Sequence, residues 1–182
     1  MNNQLNPTLW RTCRTLAGQT RIRLLRQVLE NPEQNVSEMA SATGISQSAA
    51  SQDLRRLQSR GLLRRENKGP SVIYRLVPDP QVPSAAPLIE ALKKALSSPD
   101  NGEVLGVARA FSHERRIQIL QALLNGPQSR TGLQNLTRIR TTPLNHHLRL
   151  LMEAGCVQQE GRKFFFTPTK HPLLQALLKL SR

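Results

Sequence analysis

Ser46-Gln47-Ser48-Ala49-Ala50-Ser51-Gln52-Asp53-Leu54-Arg55-Arg56-Leu57 carries a helical pattern with two unlike faces. At 100° per residue, Ala50, Leu54, Leu57 and Gly61 share one stripe of a helix, and that stripe must pack inward. The opposite face carries Ser48, Gln52, Arg55, Arg56 and Ser59, with Ser51 at its border. These are short hydrogen-bonding groups and arginines with almost no apolar surface. Ser46 suits the N-cap of the helix and Gly61 its close. Taken alone, such a face describes an ordinary solvated helix, and its neighbours decide otherwise.

Upstream, residues 8–17 place Leu9, Cys13 and Leu16 in helical spacing, and residues 19–30 do the same with Ile22, Leu25, Val28 and Leu29. A short helix over 36–42 ends at Thr43-Gly44, where glycine can take a left-handed turn. Downstream, Leu62–Glu66 and Val72–Val77 read as strands around Asn67–Ser71. A proline-rich spacer over 78–86 precedes a helix over 87–97. Short helix, glycine turn, longer helix and hairpin together make a winged helix-turn-helix, whose second helix enters the major groove of DNA. Gln can pair with adenine, Arg with guanine or phosphate, and Ser with either. The expected DNA-contacting set of this unit is Ser46, Gln47, Ser48, Ser51, Gln52, Arg55 and Arg56, with Arg64, Arg65, Lys68 and Arg75 of the hairpin placed for phosphates.

The whole unit recurs. Residues 13–32 align without gaps on 108–127, bringing Arg14, Arg21, Ile22, Leu25, Leu29 and Pro32 onto Arg109, Arg116, Ile117, Leu120, Leu124 and Pro127. After one deleted residue, Ala50, Leu54, Leu57 and Gly61 fall on Leu144, Leu148, Leu151 and Gly155. Pro87, Leu88, Ala91 and Leu92 then match Pro172, Leu173, Ala176 and Leu177. A period of this length is too long for a solenoid unit and implies two paralogous domains. Their expected extents are 1–98 and 99–182, each with a closing helix, joined through the linker 97–102. In the second copy the helix Thr141–Leu151 exposes Thr142, Asn145, His146 and Arg149, and strands near 156–160 and 163–167 offer Arg162 and Lys163. Two departures set this copy apart: Arg138 stands where Gly44 makes the turn, and Leu150 replaces Arg56.

Charge supports the DNA reading. The chain of 182 residues carries 26 Lys and Arg against 12 Asp and Glu, a formal net charge of +14. The excess divides evenly, with 14 basic and 7 acidic residues in 1–98 and 12 basic and 5 acidic in 99–182. Twenty of the basic residues are Arg, which favours forked contacts to phosphates and bases. A polyanionic partner, double-stranded DNA, is the expectation. No apolar run approaches membrane-spanning length, and the N-terminus lacks a secretory pattern, so no membrane partner and a cytoplasmic, nucleoid-associated location are expected. Cys13 and Cys156 sit in apolar patterns as small buried thiols.

The phrase Leu16-x-x-x-Thr20-Arg21-Ile22-Arg23-Leu24-Leu25 resembles the opening helix of ArsR/SmtB regulators, as does Arg116-Ile117-x-Ile119-Leu120. Ile45-Ser46-Gln47-Ser48-x-x-Ser51-x-x-Leu54-x-x-Leu57-x-x-x-Gly61-Leu62-Leu63 and His147-Leu148-x-x-Leu151-x-x-Ala154-Gly155-Cys156-Val157 are similar to that family's recognition helix and the strand that follows. The resemblance implies a bacterial repressor that dimerises through its first and last helices, with metal release of DNA in many members. This chain departs from the metal-sensing pattern: Gln34-Asn35-Val36-Ser37-Glu38 occupies the place of the Cys-x-Val-Cys motif. On the closing helices, residues 87–97 offer only Glu90, and 172–180 offer no metal-ligating side chain. No metal and no cofactor are therefore expected. His113, His146, His147 and His171 form no i, i+4 pair and read as solvated or DNA-facing.

No phosphate-cradling glycine loop and no nucleophile motif is present, so no enzyme is expected. The expected fold is mainly α with small β-hairpins: two tandem winged helix-turn-helix domains packed as an intrachain pseudo-dimer, with further association of chains left open. The expected function is a sequence-specific DNA-binding transcriptional regulator acting as a repressor. The alternatives are a tandem winged-helix module of chromosome segregation or protein interaction, and a plasmid replication initiator.

Overall fold

The computed structural model of the chain describes residues 7–98, 100–168 and 170–181. Pro99, inside the expected linker, lies outside the described residues.

The first repeat runs α1 (Leu9–Leu16), α2 (Gln19–Glu30), α3 (Val36–Thr43), α4 (Gln47–Gln58), β1 (Arg64–Lys68), β2 (Ser71–Arg75) and α5 (Ala85–Leu96). The second runs α6 (Gly102–Phe111), α7 (Glu114–Leu124), β3 (Gln128–Ser129), α8 (Arg130–Thr137), α9 (Thr141–Glu153), β4 (Val157–Glu160), β5 (Lys163–Phe166) and α10 (Pro172–Leu180). The order of helices and hairpin agrees with the sequence reading. The first hairpin differs in register: Lys68 pairs with Ser71, leaving only Gly69-Pro70 in the turn, where a longer loop was expected. Gly69 takes φ 57°, which lets so short a turn close.

Local chemistry accounts for the helix ends. Asn35 forms a full capping box with Glu38 at the start of α3. The Ser46 hydroxyl accepts from the Ala49 backbone N–H at 3.2 Å, and the Ser129 hydroxyl from Gly132 at 3.0 Å. Pro143 sits in the first turn of α9, where no intrahelical acceptor exists for the N–H it lacks. Gly61 is required twice over. Its φ is +73°, and a Cβ there would stand 2.8 Å from Val82, because the 78–84 spacer folds back so that the Asp79 N–H reaches the Gly61 carbonyl at 3.0 Å.

Two tethers are repeated at aligned positions. Nε of Arg21 donates to the Thr15 carbonyl, and Nε of Arg116 donates to the equivalent Ala110 carbonyl at 3.1 Å. Arg26 donates to the Leu96 carbonyl at the end of α5 at 2.6 Å, and Gln121 donates to the equivalent Ser181 carbonyl beyond α10. Side chains far apart in sequence thus close each repeat in the same way. Arg26 adds the Ser98 carbonyl and Asn101 Oδ1, both at 2.7 Å, and so holds the linker as well.

Contacts between repeats run through α5 with α10 and α1 with α6. The helices concerned are apolar on more than one face. α5 buries Ala85, Leu88, Ile89, Ala91, Leu92, Ala95 and Leu96, and α6 buries Val104, Leu105, Val107, Ala108, Ala110 and Phe111. One continuous hydrophobic cluster extends from Cys13 and Leu16 in α1 to Leu173, Leu174 and Leu177 in α10. Fully burying each such leucine contributes about 1.5–3 kcal/mol. Both cysteines are free and buried, and burial pushes the Cys156 thiol up to about 11, so neither is a reactive thiolate near neutral pH.

One strand was absent from the sequence reading. β3 pairs with β5, giving the second repeat a three-stranded sheet in the order β3-β5-β4. The first repeat keeps only an isolated bridge between Asn35 and Ile73. A segment as short as Gln128–Ser129 has no alternation to detect, and the pairing comes from its tertiary neighbour.

Candidate nucleic-acid interface

In α4 the inward stripe is Ala50, Leu54 and Leu57, as the periodicity requires, and it also includes Asp53. Asp53 is the only acidic residue of α4, and it points inward: Arg21 and Arg56 each place Nη1 3.0 Å from its Oδ1. The outward face is therefore free of negative charge. Ser46, Gln47, Ser48, Gln52, Arg55 and Arg56 are exposed, and Ser51 is half-buried. Ser46 spends its oxygen on the helix cap, leaving its hydroxyl hydrogen available outward.

Arg64, Arg65 and Lys68 are exposed on the hairpin. Arg75 is not a free phosphate contact. Its guanidinium is tied to Glu33 at 2.5 Å, to Glu66 at 3.2 Å and to the Pro32 carbonyl at 2.9 Å. Lys68 meets the same Glu33 at 2.6 Å. These hydrogen bonds hold the Glu33 carboxyl below its ordinary range and raise Arg75. Glu33 thus pins the hairpin to the α2–α3 loop, and Arg75 serves the attachment. An i, i+2 pattern on one strand could not reveal an acceptor 42 residues upstream.

A groove of about 370 Å³ opens between the start of α3, the face of α4 and the hairpin, with Ser37, Gln47, Ser51, Arg55 and Arg65 on its walls. The second repeat has a counterpart of about 390 Å³ between the start of α8 and its own hairpin, lined by Ser129, Arg130, Thr131 and Arg162. Each combines a helix N-terminus with arginines, an arrangement suited to a phosphate. Ser37, Arg130 and Thr131 were missed in the sequence because they belong to the first helix of each motif. Only the fold brings them to the hairpin.

On α9, Thr142, Asn145, His146 and Arg149 are exposed, as are Arg162 and Lys163 on the hairpin. Arg149 pairs with Glu153 at 2.5 Å on the same face. Arg138 does take the place of Gly44: its φ is 56° against 67° for the glycine, and it is the one non-glycine with positive φ among the described residues. The motif's turn is preserved with a strained residue.

His113 and His146 are exposed, whereas one histidine departs from expectation. His147 is 5% exposed and therefore neither solvated nor DNA-facing. By alignment it holds the place of Asp53. Its ring lies 4.6 Å, centroid to centroid, from that of His113, and its Nδ1 has no hydrogen-bond partner among the described residues. Burial, then the charges of His113 and Arg116, push its pKa down to about 4. No group of three or more His, Cys, Asp or Glu side chains among the described residues is placed to hold a metal ion. No helix among them is long and apolar enough to cross a membrane.

Residues 16–70 match the model of the MarR family, and residues 113–159 match that of the bacterial regulatory protein, arsR family. The chain is a tandem of two winged helix-turn-helix regulator domains. The ArsR-type likeness falls on the second repeat and the MarR-type likeness on the first, although the two repeats align with each other. Both matches are to families of DNA-binding transcriptional regulators, and the tandem regulator is of that kind. No curated protein and no solved structure matches the chain.

Proposed function

We propose that the tandem regulator is a sequence-specific repressor that binds duplex DNA as an intrachain pseudo-dimer, with α4 and α9 in successive major grooves and the hairpins on the flanking phosphates. Domain extents of 1–98 and 99–182 go with this reading. The observation that carries it is the inward turn of Asp53: it clears the α4 surface of its only acidic residue and leaves Gln, Ser and Arg facing solvent. Gln52 and Arg55 read bases on one half-site and Asn145 and His146 on the other, with Gln47, Ser48, Ser51, Arg56, Thr142 and Arg149 beside them. Arg64, Arg65, Lys68, Arg162 and Lys163 take phosphates. The α5–α10 and α1–α6 contacts and the shared core favour one chain per operator. In this reading the protein acts at the nucleoid, in the cytoplasm.

Fluorescence anisotropy over a salt series tests the proposal. Neutralising about 6 to 8 phosphates gives a slope of log affinity on log salt near −5 to −7. Light scattering of the complex then counts chains, and random-library selection returns an imperfect palindrome because the two helices carry different groups. A flat salt slope sinks the DNA reading in favour of a protein-interaction module. A perfect inverted repeat bound by one chain sinks the pseudo-dimer.

A further inference from the structure

The second repeat carries a buried arginine with no acid. Arg116 is 8% exposed; its Nε donates to the Ala110 carbonyl at 3.1 Å and its Nη2 to Ser112 Oγ at 2.7 Å. Nη1, the atom that in Arg21 meets Asp53, makes no hydrogen bond to any described residue. Burial alone, with no opposing charge to offset it, acts on the Arg116 pKa and lowers it. A largely buried guanidinium with an open donor and no carboxylate partner favours an anion beside it.

Beside it lies a cavity of about 360 Å³ between α6, α7 and the last turn of α9, lined by Gly106, Arg109, Ser112, Arg116, Leu150, Glu153 and Ala154. That volume is within the range of small-molecule sites, which runs from about 300 to 1,000 Å³. The second repeat has lost bulk here. Gly106 stands at the position of Arg11, and Leu150 at that of Arg56, the residue that completes the Asp53 pair in the first repeat. Leu150, Ala154 and Gly106 add apolar lining beside the two arginines. Its only carboxylate, Glu153, is already paired with Arg149.

We propose that this cavity is a binding site for a small organic monoanion, whose carboxylate pairs with Arg116 and Arg109 and whose apolar body lies against Leu150 and Ala154. The missing aspartate of the second repeat is thereby supplied in trans. The site stands on the geometry of the second repeat alone and does not depend on how the protein meets DNA.

Isothermal titration calorimetry of the full chain with sodium hexanoate, and with 1-hexanol as the uncharged control, tests it. One saturable site per chain is expected, with hexanol at least tenfold weaker. Gly106→Leu fills the cavity from a helical position where an added Cβ comes no nearer than 3.9 Å to its surroundings. His147→Asp gives Arg116 the internal carboxylate that Asp53 gives Arg21. Each variant is expected to weaken hexanoate at least tenfold while keeping a cooperative melt at or above the parent temperature. Absence of saturable hexanoate binding, equal affinity for hexanol, or hexanoate affinity unchanged in both folded variants overturns the proposal; the last result places the anion on the general basic surface.

Discussion

Nη1 of Arg21 lies 3.0 Å from Oδ1 of Asp53 in the first repeat, while at the aligned positions of the second Arg116 has His147 for a neighbour and no carboxylate. The same backbone clasp, from arginine Nε to a carbonyl of the preceding helix, is kept in both. What changed is the partner of the charge. In the first repeat a bare Gly18 leaves room for the Arg21 guanidinium, since a Cβ there would fall 2.2 Å from its Nη2. In the second, His113 occupies that place, caps α7 by accepting from the Arg115 N–H at 3.1 Å, and packs against His147 with the rings tilted by 49°.

Asp53→Ala should therefore destabilise the protein by about 2–3 kcal/mol, because it strands a partly buried guanidinium. Arg56→Ala should cost less than about 1 kcal/mol, since Arg56 is 60% exposed and Arg21 keeps the pair. Urea denaturation of the two variants measures the difference. Equal losses would show that Asp53 is not held by Arg21.

His147 should make stability depend on acid. Its folded pKa, about 4, lies below the ordinary value near 6.5, so between these limits the unfolded chain binds a proton that the folded chain refuses. The contribution is complete above pH 6.5, falls as pH drops toward 4, and changes no further below. Its full extent is at most about 3 kcal/mol. The charges of the groups facing it, His113, Arg116, His146 and Arg115, all act to lower its pKa, so none offsets the effect. His147→Asn should remove this component. Denaturation at pH 7, 5.5 and 4 checks it, and identical pH profiles for parent and variant would refute it.

Arg138→Gly should stabilise the protein by about 0.5–1 kcal/mol, because glycine takes the left-handed turn without steric cost. Gly44→Ala, in the matching turn, should destabilise by about 1 kcal/mol, as its φ is 67°. Thermal melts of both variants read opposite signs if the turns are equivalent.

Arg26→Ala should cost about 2 kcal/mol through its lost charged hydrogen bonds to the Leu96 and Ser98 carbonyls. Gln121→Ala, which loses a neutral bond to the equivalent Ser181 carbonyl, should cost about 1 kcal/mol or less. Hydrogen exchange should quicken at the end of α5 in the first variant and spare α10.

The helices, the two hairpins and their duplication were legible in the residues alone, whereas β3 was not. Helical stripes such as Ala50, Leu54 and Leu57 announce their own inward face, and a period-long alignment needs no coordinates. The sequence also located the exposed faces of α4 and α9, because a face without apolar residues can only be solvated. Which polar groups remain for a ligand depends on contacts across the fold. The helix period directs Asp53 toward the inward flank, but only the fold shows that Arg21, 32 positions away, meets its carboxylate. Arg75 reads as a phosphate contact until Glu33 and Glu66 claim it. His147 reads as a solvated or DNA-facing side chain until burial and His113 enclose it. The physical reason is the same in all three: a helix or strand period fixes the direction of a side chain, whereas the state of a charge depends on groups that meet it across the fold.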